Sequence, residues 1–74
     1  MREAIWDKTT GDQLGWVEDG NVFSCETEKK IATIRDGNLY SLTGEFLNMS
    51  LRLLEDAGGG ERQANAVARF KTLK

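Results

Sequence analysis

Hydrophobic and polar residues alternate along the first two thirds of the chain, and the alternation recurs at a fixed interval. Residues 17–24 read VEDGNVFS and residues 34–41 read IRDGNLYS, so four of the eight positions match and three others keep their character. Moving back another seventeen residues from 22–24 reaches residues 5–7, IWD, a third aliphatic, aromatic and polar triplet. Period-two alternation indicates strands, and a repeat of this kind predicts a sheet built from copies of one hairpin.

Asp-Gly dipeptides interrupt the alternating runs and predict two tight turns, at 19–20 and at 36–37. A type I′ turn needs positive φ at both central residues, which Asp tolerates and Gly adopts freely, so each dipeptide should close a two-residue hairpin. The resulting cross-strand pairs are Trp16 with Phe23, Val17 with Val22, Thr33 with Tyr40 and Ile34 with Leu39.

Together, the alternation and the turns predict a mainly β fold, an antiparallel β-meander of about six strands. The expected strands lie near residues 3–8, 13–18, 21–26, 30–35, 38–42 and 45–53. The last of them has a competing interpretation, a helix that begins near Asn48, because Leu51, Leu54 and Glu55 are good helix formers.

The C-terminal part of the chain changes period. Three consecutive glycines cannot hold a regular element cheaply, so residues 57–60 are predicted to be a hinge after a sheet region at 1–56. Residues 61–74 have helical spacing, with an apolar side formed by Ala66, Val67, Phe70 and Leu73. A helix this short is stable only when its apolar side is buried, so it should dock on the sheet within a single domain, 1–74.

The predicted pairing sorts the strand side chains onto two faces, and both faces are apolar. The face assigned to the core holds the larger side chains Trp6, Leu14, Trp16, Phe23, Cys25, Ile31, Tyr40, Leu42, Leu47 and Met49. The opposite face carries Ile5, Val17, Val22, Ile34 and Leu39. One helix cannot readily cover both faces, so either the sheet curls into a partial barrel or the second face meets another copy or a different protein.

Composition narrows the class of protein. The chain has 74 residues, a net charge of −2, one cysteine and no histidine, which leaves no intramolecular disulfide and no zinc site of the usual ligand types. The first residues carry charges where a signal peptide needs an apolar stretch, and no run reaches the length of a membrane span. A soluble cytoplasmic protein without a membrane contact is therefore expected.

Candidate catalytic and metal-binding groups have structural explanations. Cys25 has no histidine to activate it and is interpreted as a buried thiol that acts as a small hydrophobe. Asp19 and Asp36 are explained as turn formers, and the sequence around them lacks the alternating acidic ligands and distal glutamate of a calcium loop. No enzyme activity, catalytic residue, metal, cofactor or small-molecule substrate is predicted.

Charge is distributed unevenly along the chain. Residues 1–56 hold 6 Lys/Arg against 11 Asp/Glu, and residues 57–74 hold 4 against 1. The simpler interpretation is that the basic C-terminal segment folds against its own acidic body. The alternative is a nucleic-acid-binding module that uses Arg62, Arg69, Lys71 and Lys74 and stacks bases on its aromatic residues. The acidic body should repel phosphates, which makes nucleic acid the second choice.

The repeated residues also carry a resemblance. The segments 15–23, GWVEDGNVF, and 34–44, IRDGNLYSLTG, resemble the hairpin repeats of small uncharacterised bacterial proteins, with an Asp-Gly-Asn turn, an aliphatic-aromatic pair and a glycine turn. The likeness covers about residues 4–49 and implies a fold but no activity. The chain departs from the simplest pattern where Ser24 and Ser41 take the place of Asp7, and where Glu28 takes the place of the turn glycine.

These observations predict a non-enzymatic module that binds a protein or itself, consistent with a small bacterial or phage-borne accessory or inhibitor protein. Three contact surfaces are proposed for it: the second apolar face, represented by Val22 and Leu39; the edge strands of the sheet; and the aromatic anchors Trp16 and Tyr40 if they are exposed. Arg62 and Arg69 are the candidate contacts of the nucleic-acid alternative.

Overall fold

A computed structural model describes residues 2–73 and shows one six-stranded antiparallel sheet followed by two helices. The elements are β1 Arg2–Trp6, β2 Gln13–Glu18, β3 Asn21–Ser24, β4 Lys30–Arg35, β5 Asn38–Tyr40, β6 Phe46–Ser50, α1 Leu51–Leu54 and α2 Gly60–Thr72. The strands lie in sequential order from β1 to β6, so the sheet is a meander with β1 and β6 at its edges. The predicted fold class is confirmed.

The two Asp-Gly turns have the backbone that the sequence predicts. Asp19 and Gly20 have φ angles of 52° and 77°, and Asp36 and Gly37 have φ angles of 53° and 80°. These turns set the predicted register, in which Trp16 pairs with Phe23, Val17 with Val22, Thr33 with Tyr40 and Ile34 with Leu39. Each turn also accepts a further backbone hydrogen bond, because the carbonyl of Gly20 accepts the N–H of Ile34 in β4 and the carbonyl of Gly37 accepts the N–H of Leu51 at the start of α1.

The turns at the opposite end of the hairpins also repeat. Asp7 and Ser41 directly follow a strand and Ser24 ends one, and the side-chain oxygen of each accepts backbone N–H groups of the turn that follows. Gly11, Glu28 and Gly44 occupy the equivalent turn positions at φ angles of 82°, 58° and 94°. Glu28 therefore adopts a left-handed conformation where the other two copies have glycine. This conformation is unfavourable in free energy for an L-residue such as glutamate.

A β-bulge follows each of these turns and changes the face of one apolar residue. Ile5 pairs with Gly15 but Trp6 pairs with Gln13, which leaves Leu14 as the extra residue of β2. Ile31 is the extra residue of β4 in the same way, and β6 carries Leu47 in its own irregular step beside β5. All three side chains are buried in one core cluster. Bulges of this kind re-aim side chains and increase local twist.

The aromatic part of the predicted core face lies on the outer side of the sheet, whereas Leu14, Ile31, Leu47 and Met49 of that face are buried as predicted. The residues that pack together under α2 include Ile5, Val22, Ala32 and Leu39, each 0% exposed, together with the bulge residues. The aromatic residues Trp6, Trp16, Phe23, Tyr40 and Phe46 stand on the outer face. Assignment of Trp6, Trp16, Phe23 and Tyr40 to the core was wrong, and so was the buried position of Cys25, which is exposed. The second apolar face is covered by the chain itself.

The segment 45–53 contains both of the elements that the sequence allowed. β6 ends at Ser50, whose hydroxyl oxygen accepts the N–H of Leu53 and caps α1, so the strand prediction is correct only as far as Ser50. Gly59 is the N-cap of α2 and Gly60 its first residue, at a φ angle of 62°. The apolar side of α2 is buried as predicted, through Ala66, Val67 and Phe70.

Candidate functional site

The outer face of the sheet carries a row of aromatic side chains, two of which are exposed. We define it by the side chains of Arg2, Trp6, Trp16, Phe23, Lys30, Arg35, Asn38, Tyr40 and Phe46, which the strand register places on the side away from α2. Trp6 is 44% exposed and Phe46 is 51% exposed, and Leu42 beside them is 55% exposed. An aromatic row of this kind on an uncovered sheet face is typical of a contact surface.

Two clusters make up most of the outer face. Trp16 and Phe23 stack across β2 and β3, with ring centroids 5.3 Å apart and an angle of 9° between the rings. The guanidinium carbon of Arg2 lies 4.3 Å from the centroid of the Trp16 ring. With Phe23 and Arg2 packed on its ring, Trp16 is only 8% exposed although it points away from the core.

The second cluster lies on the same outer face, across β5 and β6. Tyr40 and Phe46 are cross-strand partners, with ring centroids 5.6 Å apart and a tilt of 44°. The guanidinium carbon of Arg35 lies 4.9 Å from the centroid of the Tyr40 ring. Cation–π pairs of this kind hold long arginine side chains against the sheet and keep their positive charge at the surface.

A groove runs along the edge of the outer face, between β6 and α2. Its two adjoining parts have volumes of about 370 Å³ and 190 Å³. Both parts are lined by Asn48, Met49, Leu53 and Arg62; Asn38, Phe46 and Ser50 complete the first, and Asn65, Ala66 and Arg69 complete the second. We call this the β6–α2 groove. It joins the outer face through Asn38 and Phe46.

One buried acid fixes the position of α2 over the inner face. Asp7 is 5% exposed. Burial alone would raise the pKa of Asp7, but hydrogen bonds from Thr9, Thr10 and Gln63 outweigh it and hold the pKa below its ordinary value. Gln63 also donates to the carbonyl of Leu54, 3.0 Å away. The first turn of the sheet, α1 and α2 are therefore joined through one carboxylate and one amide.

The predicted site residues fall into three groups. Val22 and Leu39 are 0% exposed, so their assignment to a binding surface was wrong; they pack under α2. Trp16 and Tyr40 lie on the outer face, in the two aromatic clusters. Arg62 and Arg69 are exposed on α2 and line the β6–α2 groove. The structure therefore places the aromatic candidates on the outer face and the basic candidates in the groove that adjoins this face at Phe46, and it buries the aliphatic ones.

Three exposed residues of this surface were missing from the candidates: Trp6, Phe46 and Asn48. Trp6 and Phe46 are aromatic neighbours of Trp16 and Tyr40 on the same face, so the register would have included them once that face was recognised as external. Asn48 has a φ angle of 57° within β6, and nothing in the alternation predicts that kink. Among residues 2–73, no cluster of three or more His, Cys, Asp or Glu side chains is arranged to hold a metal ion.

Comparison with known proteins adds no assignment. No protein-family model matches the chain, and no curated protein or solved structure shows significant similarity to it. None of the helices in the described part of the chain has the length and apolar character needed to cross a membrane.

Proposed function

We propose that the protein is a non-enzymatic binding module that contacts a protein, another copy of itself included, through the outer face of its sheet. The observation that carries this proposal is that α2 packs on the aliphatic face, while Trp6 and Phe46 on the aromatic face remain 44% and 51% exposed. The cytoplasmic and bacterial or phage setting indicated by the sequence belongs to the same proposal.

The composition of the outer face supports a protein partner. Tryptophan, tyrosine and arginine are the residues most enriched among those that dominate binding energy at protein interfaces. Here Trp16, Tyr40 and their arginine neighbours are held in place by stacking before any partner arrives. Side chains already fixed in one conformation lose less entropy when a partner binds, which favours affinity.

The same packing argues against base stacking at the two central rings. A base needs an open ring face. Phe23 and Arg2 pack on the Trp16 ring, and Phe46 and Arg35 pack on the Tyr40 ring. These two rings therefore offer mostly edges to a ligand, and edges suit the uneven apolar surface of a protein better than a nucleotide base.

Self-association is tested by sedimentation velocity over a wide range of protein concentration. If the outer face binds a second copy, the sedimentation coefficient rises with concentration, and the double variant Trp6→Ala, Phe46→Ala stays monomeric. Arg52→Ala, which changes an exposed residue of α1, serves as the control and should associate like the wild type. A wild-type protein that is monomeric throughout removes self-association and leaves a foreign partner.

A foreign partner is tested with a photo-crosslinking amino acid placed at position 46 on the outer face or at position 52 on α1. In the native cells, position 46 should give a crosslink to one discrete protein, and position 52 should not. Equal crosslinking from both positions, or from neither when self-association is also absent, would refute the proposal.

The nucleic-acid alternative is favoured by one observation, the presence of Arg62 and Arg69 together in the β6–α2 groove. Lys71 lies near the end of α2, and Lys74, the remaining basic candidate, falls outside the described residues. Binding to single-stranded and duplex DNA over a salt series tests it, because affinity that depends on phosphate contacts falls steeply as salt rises. No binding at low ionic strength would remove this alternative.

A further inference from the structure

The β6–α2 groove has a charge opposite to that of the whole chain. The protein carries a net charge of −2, with 12 Asp/Glu residues. Yet the groove is lined by Arg62, Arg69, three asparagines, one serine and apolar side chains, with no carboxylate among them. The groove is therefore a place where the described surface attracts an anionic group.

The two arginines are placed to act together. They are seven residues apart on α2, which is about two helical turns or roughly 10 Å of rise, so both lie along one side of the helix. A guanidinium presents a planar set of donors that matches a carboxylate with two parallel hydrogen bonds. The amides of Asn48 and Asn65 supply further donors in the same groove.

The backbone of β6 determines what kind of ligand the groove can take. β6 is an edge strand, and a regular edge would invite a partner to add a strand. Asn48, however, has a φ angle of 57°, which breaks the extended backbone in the middle of β6. The kink turns the Asn48 side chain into the groove wall and disfavours strand addition, so recognition there falls to side chains.

We propose that the β6–α2 groove receives Asp or Glu side chains of the protein that docks on the outer face, with Arg62 and Arg69 as the carboxylate-binding residues. This inference depends on the proposed function, since it supplies the acidic part of the partner's contact. The groove is continuous with the outer face, because Phe46 and Asn38 belong to both surfaces. A partner that docks on the aromatic clusters can therefore also contact the groove.

The test is a selection of random dodecapeptides displayed on phage against the full-length chain. Three immobilised proteins are compared: the wild type, the double variant Arg62→Gln, Arg69→Gln, and the control Arg52→Gln. Arg52 is an exposed arginine beside Glu55 and Asp56, away from the groove, so the control loses a positive charge of the same kind. Circular dichroism confirms that all three are folded.

The wild type and the Arg52→Gln control should both select peptides that combine apolar residues with Asp or Glu, and the double groove variant should select apolar residues without acidic enrichment. For one selected peptide, each groove substitution should weaken binding by about 2-fold to 5-fold, because exposed ion pairs contribute modestly. Replacing each Asp or Glu of the peptide by Asn or Gln should weaken its binding to the wild-type protein by a similar factor.

The outcomes separate the two proposals. Apolar peptides without acidic enrichment on the wild type would overturn the groove assignment and leave the outer face as a binding surface. No selected peptide, combined with no self-association and no crosslink, would overturn both. Tight binding of oligothymidylate that competes with the selected peptide and is lost in the double groove variant would identify the anion as phosphate and overturn the carboxylate assignment.

Discussion

The two faces of this sheet are both apolar but differ in what they hold. The inner face carries aliphatic and small side chains, among them Ile5, Val22 and Ala32, with Gly15 beneath the ring of Phe70. The outer face carries two tryptophans, a tyrosine and two phenylalanines, with arginines packed on their rings. Hydrophobicity alone would bury the aromatic face first, and the fold does the opposite.

Space explains the difference. The inner face must fit against α2, and protein interiors tolerate neither voids nor overlaps. Small and β-branched residues leave room there for Phe70, whereas a row of indole rings would hold α2 away from the sheet. On the outer face, large rings pack on one another, as Trp16 does on Phe23 and Tyr40 on Phe46. Residue size, not only hydrophobicity, therefore decides which face is buried.

The sharpest test of this comparison replaces one phenylalanine on each face with alanine. Phe70→Ala should lower the free energy of unfolding by about 3 to 5 kcal/mol, because it opens a cavity between α2 and the sheet. Phe46→Ala, on the outer face, should cost about 1 kcal/mol or less, since the ring is 51% exposed. Urea denaturation measures both, and similar losses would contradict the assignment of the faces.

Gly15→Ala tests how closely the inner face is packed. A β-carbon at Gly15 would collide with the carbonyl oxygen of Phe23 and lie 3.4 Å from Cζ of Phe70. We expect a loss of about 1 to 3 kcal/mol in thermal or urea unfolding. Gly58→Ala is the control, because its β-carbon would meet only Asp56 Oδ1 at 3.5 Å. A wild-type melting temperature for Gly15→Ala would mean that the inner face has unused room.

Glu28→Gly tests the turn that leads into the Ile31 bulge and so directs Ile31 to the inner face. Replacing a left-handed glutamate with glycine should raise the free energy of unfolding by about 1 kcal/mol, which is roughly 4 to 8 °C in the melting temperature of a small domain. The reciprocal change Gly11→Glu, at the equivalent position of the first copy, should lower stability by a similar amount. If both substitutions raised stability, or both lowered it, these turns would not be equivalent.

Asp7 should make the stability of the folded protein depend on pH in the acid range. Its pKa is lower in the folded protein than its ordinary value of 3.8, so its stabilising contribution is complete above that value and is lost as the pH falls through the folded pKa. The stability difference between the wild type and Asp7→Asn should therefore shrink as the pH is lowered below about 4. Asp12→Asn, an exposed change in the same turn, is the control and should keep the acid-dependent loss. Urea titrations at successive pH values measure it.

The fold was largely predictable because the repeat encodes it locally. Asp-Gly turns, period-two alternation and the 3.6-residue pattern of α2 each depend on neighbours in the sequence, and all three are confirmed. The aromatic residues were wrongly assigned to the core because alternation groups them with Leu14, Ile31 and Leu47, which irregular steps in the pairing place on the inner face. A bulge changes the face of a side chain without any distinctive residue type, so alternation could not locate it.

The sequence predicted the types of residue that form the candidate site, but not which residues lie together in it. Trp16 and Tyr40 lie on the outer face, and Arg62 and Arg69 lie in the groove that adjoins it, although nothing in their spacing brings α2 beside β6. Val22 and Leu39 were chosen from the face that the helix covers. The Asn48 kink that shapes the groove depends on the pairing of β5 with β6, a tertiary feature that has no signal in the alternation.

The hydrogen bonds from Ile34 to Gly20 and from Leu51 to Gly37 form the same joint twice, seventeen residues apart. A hydrogen bond that recurs in each copy would let the β-meander be extended by duplication of one hairpin unit in the gene. Growth stops at Leu51, where the donor that completes the second joint is also the first residue of a helix. The meander therefore ends at the residue that completes the second of these hydrogen bonds.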